Sequence, residues 1–112
     1  MKHLFTLLLV LGTLGCAQKS TLYSWGSYET QTYNYFKGES PEAQLLILEK
    51  QKNESTAKGE ALPPGFHAHM ALLYEKTGKP DDMRQMFETE KKLYPESSTY
   101  INHLLSNFKG LK

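Results

Sequence analysis

The sequence contains a single cysteine, Cys16, in 112 residues. One thiol cannot form a disulfide within the chain, nor can it supply the clustered cysteines of a structural metal site. In an exported protein a lone cysteine pairs with another chain or carries a reactive sulfur, unless that sulfur is modified. The position of Cys16, directly after LGTLG, therefore calls for an explanation.

The sequence also lacks an excess of charge of one sign. Thirteen Lys and Arg balance twelve Asp and Glu, which leaves a net charge of +1. No block of like charges forms the basic stripe that is typical of nucleic-acid binding, so we expect no nucleic-acid partner. The G-x-S-x-G motif and a glycine-rich phosphate loop are missing as well. We therefore expect no enzyme, no cofactor and no catalytic residue.

No hydrophobic run reaches the length of about 20 residues that spans a membrane as a helix. The run at residues 4–11 follows Lys2 and precedes small residues, which is the order of a secretory signal peptide. Two cleavage sites compete. The TLGC sequence ending at Cys16 resembles a bacterial lipobox, in which the cysteine is acylated and becomes the first residue; alternatively, an ordinary signal peptidase cuts after Ala17.

We favour the lipobox, because acylation also accounts for the single thiol. Residues 1–15 are then a lipoprotein signal peptide, Cys16 is the lipidation site and residues 16–21 are a short tether. Two or three acyl chains would anchor the protein stably in a membrane. Ala17 in place of an aspartate resembles lipoproteins that are sorted to the outer membrane, so we expect a lipid anchor on the periplasmic face of that membrane.

Beyond residue 21 the chain lacks strand-like alternation, and apolar residues recur at helical spacing. We predict that residues 22–112 form one all-α domain of about five helices in antiparallel hairpins. The predicted inward faces, in chain order, are Trp25, Tyr28, Thr32, Tyr35 and Phe36; Ala43, Leu46 and Ile47; Phe66, Met70, Leu73 and Tyr74; Met83, Met86, Phe87 and Leu93; and Tyr100, Ile101, Leu104, Leu105 and Phe108.

Local signals define the second helix most closely. Ser40 is the predicted N-cap and Pro41 the first helical residue. The helix is predicted to run through about Lys52, with Leu45 and Leu48 widening its apolar face. Residues 53–65 are predicted to be a loop.

The predicted third and fourth helices are similar to a tetratricopeptide unit, which has small and aromatic residues at fixed offsets around a central glycine and ends at a proline. The residues at matching offsets are Ala71, Tyr74, Gly78, Phe87 and Pro95. Met83 and Glu90 differ from the pattern, because they stand where small residues let the two helices pack closely. A compact bundle is the alternative to such a repeat.

Three blocks together resemble one known family: LYSWGSYE at residues 22–29, LPPGFHAHMALLYEKTG at 62–78 and FETEKKLYPES at 87–97. They are similar to DUF4810, a family of small bacterial lipoproteins. The resemblance implies an outer-membrane lipoprotein, usually encoded beside a CsgG-like lipoprotein and a second small lipoprotein, with no established activity. It also implies that a CsgG-like lipoprotein is among the partners.

Three residues form the candidate interaction surface: Tyr33, His67 and Glu90. Tyr33 lies off the apolar stripe of its helix, where an aromatic side chain can anchor an interface. Glu90 lies on an apolar stripe and needs a partner, either His67 or a tyrosine hydroxyl. His67 and His69 point about 200° apart on a helix, so they cannot share a metal ion, and we predict no metal site.

These observations lead to a first functional hypothesis, a non-enzymatic adaptor that is anchored in the outer membrane and binds envelope proteins through a tetratricopeptide-like groove. The second hypothesis is a periplasmic binding or hydrolytic module for cell-wall fragments that uses Tyr33, His67 and Glu90. A third is a purely structural lipoprotein that stabilises the outer membrane.

Overall fold

A computed structural model describes residues 21–108 of the chain. This part contains five α-helices, one 3-10 turn and no strand: α1 (Tyr28–Phe36), α2 (Pro41–Lys58), α3 (Phe66–Lys76), α4 (Pro80–Leu93), the 3-10 helix (Pro95–Ser97) and α5 (Ser98–Asn107). The prediction of an all-α fold is confirmed, and the arrangement is compatible with tetratricopeptide-like hairpins. The predicted signal peptide and Cys16 lie outside the described residues.

Helix α2 has the predicted start and a later end. Ser40 is the N-cap, and its hydroxyl accepts a hydrogen bond from the amide of Ala43 at 3.3 Å. The helix continues to Lys58, where Gly59 adopts a left-handed conformation with φ of 68°. The predicted loop was therefore wrong over residues 53–58, since no residue before Gly59 breaks the helix.

The inward face of α2 was predicted only in part. Leu45 and Leu48 are buried as expected, but Leu46 is 71% exposed and Ile47 is 40% exposed. The other buried residues of the helix are polar: Gln44, Gln51 and Ser55. Apolar spacing could not identify this face, because the helix buries amides and a hydroxyl that find hydrogen-bond partners in the fold.

Gln51 connects α2 to the segment that precedes α1. Its side-chain carbonyl accepts the amide of Ser27 at 3.0 Å, and its amide group donates to the carbonyls of Ser24 and Trp25 at 3.1 and 2.8 Å. Ser55 adds a hydrogen bond between its hydroxyl and that of Ser24 at 3.0 Å. These bonds hold residues 24–27 in a turn, so α1 begins at Tyr28. The prediction that Trp25 lies on the inward face of this helix was therefore wrong, and so was the prediction for Phe36, which is 80% exposed.

The core is centred on the antiparallel pair of α3 and α4. Phe66, Met70 and Leu73 of α3 pack against Met83 and Phe87 of α4, and all are almost completely buried. Ile101 of α5 closes this core from the C-terminal side. The predicted stripes of these helices are confirmed with two exceptions, Leu93 and Tyr100, which are 54% and 61% exposed.

Two neighbouring leucines of α2 test which face is inward. Because Leu48 is fully buried and Leu46 is 71% exposed, we expect Leu48→Ala to lower the free energy of unfolding by about 2–5 kcal/mol. The same change at Leu46 should lower it by less than about 0.5 kcal/mol. Urea denaturation followed by circular dichroism measures both, and equal losses would contradict the observed orientation of the helix.

Candidate functional site

The N-terminus of α3 is capped by a side chain from α4. Its N-cap residue is Gly65, which has no side chain to accept the free amides of the first turn. Glu90 takes this role: its Oε1 accepts the amide of Gly65 at 2.7 Å, and its Oε2 accepts the amide of Ala68 at 3.4 Å. The positive end of the helix dipole stabilises the carboxylate. Glu90 can therefore be only 2% exposed without an opposite charge bonded to it.

Gly65 makes this arrangement possible in two ways. Its φ of 92° is a left-handed conformation that L side chains rarely adopt. A Cβ atom at this position would also lie 2.8 Å from the hydroxyl oxygen of Tyr28. Glycine therefore lets Tyr28 of α1 approach the backbone at the start of α3, close to the Glu90 carboxylate.

His67 lies next to the same carboxylate. Its Nδ1 is 3.9 Å from Oε2 of Glu90, and this nitrogen has no hydrogen-bond partner among the described residues. Burial, and then the positive charge of Lys52, lower the pKa of His67 to about 4. The imidazole is therefore neutral at pH 7, so its proximity to Glu90 is not a salt bridge at that pH. Although His67 and His69 point in different directions from the helix, both are buried.

His69 occupies an aromatic environment on the side of α3 that faces α1. Its ring makes edge contacts with Tyr28 and Tyr35, at centroid distances of 6.1 and 5.2 Å. Burial lowers the pKa of His69 to about 4, and its Nε2 has no hydrogen-bond partner within residues 21–108. The ring is thus a neutral packing element that joins α1 to α3.

A groove opens where α1, α3 and α5 meet, and we call it the α1–α3–α5 groove. It encloses about 200 Å³ and is lined by Tyr28, Gly65, Ala68, His69, Leu72, Tyr100 and Leu104. Since His69 is neutral at pH 7, none of these side chains is charged. Tyr100 is 61% exposed at its rim. The groove can accept an uncharged, apolar side chain.

The structure separates the three residues of the predicted interaction surface. Glu90 and His67 are adjacent, but the hydrogen-bond partners of Glu90 are backbone amides rather than His67 or a tyrosine hydroxyl. Glu90 and His67 are 2% and 6% exposed and offer little area to another molecule. Burial gives both a structural role in this conformation. Tyr33 is 64% exposed on α1, and contact between Tyr33 and a partner stays a prediction. Lipidation of Cys16 also stays a prediction, because that residue lies outside the described part.

The sequence analysis expected a tetratricopeptide-like groove but did not assign the residues that line it, although it placed several of them on inward faces. Tyr28, Tyr100 and Leu104 were assigned to inward faces, and each lines the groove. The tetratricopeptide pattern was the available signal for the position of the groove, because the first helices of successive hairpins lie side by side in such repeats.

In residues 21–108 no three His, Cys, Asp or Glu side chains are grouped to hold a metal ion. Every helix in the same part is too short or too polar to cross a bilayer.

Because Glu90 caps α3, we predict that replacing its carboxylate destabilises the folded domain. Glu90→Gln removes the charge and places an amide nitrogen opposite one backbone N–H, so we expect the free energy of unfolding to fall by about 1–3 kcal/mol. The control is Glu88→Gln on the same helix, where Glu88 is 56% exposed and pairs with Lys91, and where we expect a loss below about 0.5 kcal/mol. Similar losses for the two variants in urea denaturation would contradict the capping role.

The buried histidines predict a loss of stability in mild acid. Their pKa values are about 4 in the folded chain and about 6.5 in the unfolded chain. The unfolded state therefore binds more protons between these values, and the free energy of unfolding falls as the pH drops from about 6.5 toward 4, by up to about 3 kcal/mol per histidine.

Urea titrations between about pH 7 and pH 5, where most carboxylates stay ionised, measure this slope. His69→Gln should reduce the slope of the free energy of unfolding against pH. The control is His103→Gln at an exposed position of α5, which removes a histidine outside the core. A slope in the His69→Gln variant as steep as that of the wild type would overturn the assignment.

Comparison with known proteins gives one match. The model of the family described as a domain of unknown function, DUF4810, matches residues 22–104, which cover all five helices except the last residues of α5. No curated protein and no solved structure matches the chain. The matched region includes the Glu90 cap and every residue of the α1–α3–α5 groove. Because this family model covers most of the chain, the chain belongs to the DUF4810 family.

Proposed function

We propose that the protein is a non-enzymatic adaptor, anchored in the outer membrane by lipid on Cys16, that binds other envelope lipoproteins through the α1–α3–α5 groove. The groove is the observation that carries this proposal. It is formed by three helices that are far apart in sequence, and it is open to solvent while the core beside it is closed. Such a surface supports recognition of another protein rather than chemistry on a substrate.

The chemistry of the groove supports a particular kind of contact. Its lining is mostly apolar and aromatic and has no charged side chain at pH 7, so a buried charge on the partner would be left unpaired there. Its volume of about 200 Å³ matches the insertion of one large apolar side chain, which is how interface anchors bind. We therefore expect the partner to insert an uncharged apolar or aromatic residue.

The geometry around the groove also supports binding with little rearrangement. Tyr28 is fixed by the close approach to Gly65 and by Phe66, whose ring centroid is 5.7 Å away. His69 is held between Tyr28 and Tyr35. Side chains that are already ordered lose little conformational entropy when a partner binds.

The location and the partner class rest on the sequence. A basic start, a short apolar run and a cysteine after small residues support lipidation at Cys16. Ala17 in place of an aspartate supports sorting to the outer membrane. The resemblance to lipoproteins encoded beside a CsgG-like lipoprotein supports that protein as the partner to test first.

The alternative, a binding or hydrolytic module for cell-wall fragments, receives no support from the described residues. It required Tyr33, His67 and Glu90 to act together, and two of these are buried while Tyr33 is exposed on another helix. The Glu90 carboxylate is also engaged by two backbone amides.

Site-specific photo-crosslinking tests the adaptor proposal. A photoreactive benzoylphenylalanine in place of Tyr100, at the rim of the groove, is expected to crosslink the full-length lipoprotein to one defined envelope protein in intact membranes. The same residue in place of Gln85, which is exposed on α4 and does not line the groove, is the matched control. Equal yields at the two positions, or no adduct at Tyr100 in membranes that contain the CsgG-like lipoprotein, would overturn the proposal.

A further inference from the structure

The end of the domain that leads back toward Cys16 carries exposed apolar side chains. Leu22 is 80% exposed and Trp25 is 40% exposed. We call residues 22–25 the N-terminal edge. Large apolar side chains exposed so close together usually contact another molecule or a membrane.

The N-terminal edge is ordered by hydrogen bonds. The amide of Ser24 donates to the carbonyl of Ala61 at 2.7 Å, and Gln51 binds the carbonyls of Ser24 and Trp25. Tyr23 between the two apolar residues makes edge contacts with Trp25 and Tyr94, at centroid distances of 6.4 and 6.3 Å. The edge is thus held in place against the loop that follows α2 and the end of α4.

The N-terminal edge is close in sequence to Cys16, the predicted lipid anchor. Leu22 is six positions after Cys16, and six extended residues reach at most about 20 Å. If the acyl chains of Cys16 are inserted in a bilayer, the N-terminal edge cannot be farther than that from the lipid headgroups. The inference rests on the lipidation in the proposed function.

We propose that the N-terminal edge docks on the phospholipid surface and fixes the orientation of the domain on the membrane. Tryptophan and tyrosine favour the boundary between headgroups and acyl chains, because an apolar ring and a polar group can both be satisfied there.

A lipid surface fits these observations better than a protein partner does. The short tether keeps the edge at a high local concentration at the membrane, so a few apolar side chains suffice for stable contact. A protein partner would require a larger complementary surface than the few side chains of this edge provide.

Trp25 reports on this contact directly, because it is the only tryptophan in the chain. The full-length lipoprotein is reconstituted into phosphatidylethanolamine and phosphatidylglycerol vesicles, with or without bromine atoms on the acyl chains near the headgroups. We expect bromine to quench most of the Trp25 fluorescence. We also expect the emission to shift to shorter wavelength relative to the unlipidated Cys16→Ser protein in buffer.

The control carries Trp25→Phe together with Phe36→Trp. Phe36 is the last residue of α1 and is 80% exposed. Because α1 rises about 12 Å from Tyr28 to Phe36, the control places the tryptophan at the far end of this helix from the N-terminal edge. We expect this tryptophan to be quenched much less by bromine and to stay accessible to acrylamide in water. Circular dichroism checks that the control is folded.

The outcomes separate the inference from the proposed function. A protein that carries lipid by intact mass, but whose Trp25 is not quenched by bromine, overturns the docking and leaves the anchor intact. Equal quenching of the wild type and the control overturns it as well, because the edge is then not the contacting surface. A mature protein without lipid on Cys16 removes the anchor, and the docking with it.

Discussion

The capping of α3 by Glu90 is the interaction on which the rest of the domain depends. A helix that starts at a glycine leaves its first amides unsatisfied, and here a buried carboxylate from the antiparallel helix accepts two of them. The carboxylate is stabilised by the helix dipole, and α4 is fixed in register against α3. Gly65 leaves room for Tyr28, so the same few atoms also position α1. Three helices are joined at one point without a buried ion pair at neutral pH.

The other side of the domain is held by neutral polar groups. Helix α2 turns Gln44, Gln51 and Ser55 inward, and Gln51 alone satisfies three backbone groups of the segment before α1. A domain of this size has a small apolar core. Hydrogen-bonded amides extend the ordered structure beyond that core to the N-terminal edge. These hydrogen bonds hold the N-terminal edge at the end of the domain that is closest to Cys16 in the sequence.

These two constraints give the domain two surfaces with different chemistry. The α1–α3–α5 groove is uncharged and sized for one apolar side chain, and the residues that line it are held by the Glu90 cap and by aromatic contacts. The N-terminal edge is apolar, ordered by Gln51 and close to the proposed lipid. An adaptor on a membrane needs both a fixed orientation and a recognition surface. We assign the orientation to the N-terminal edge and the recognition to the α1–α3–α5 groove.

The sequence by itself determined the class of fold, most of the apolar stripes of α3, α4 and α5, the Ser40 cap and the family. It could do so because helical periodicity, capping residues and the similarity of short segments to a family are all properties of residues that are close together in the sequence. The tertiary structure decided that Leu46 is exposed, that Gln51 is buried and that Glu90 caps another helix. Each of these depends on partners 20 or more positions away, or on a polar group whose burial is favourable only once its hydrogen bonds exist. The pattern of apolar residues carries no information about such bonds.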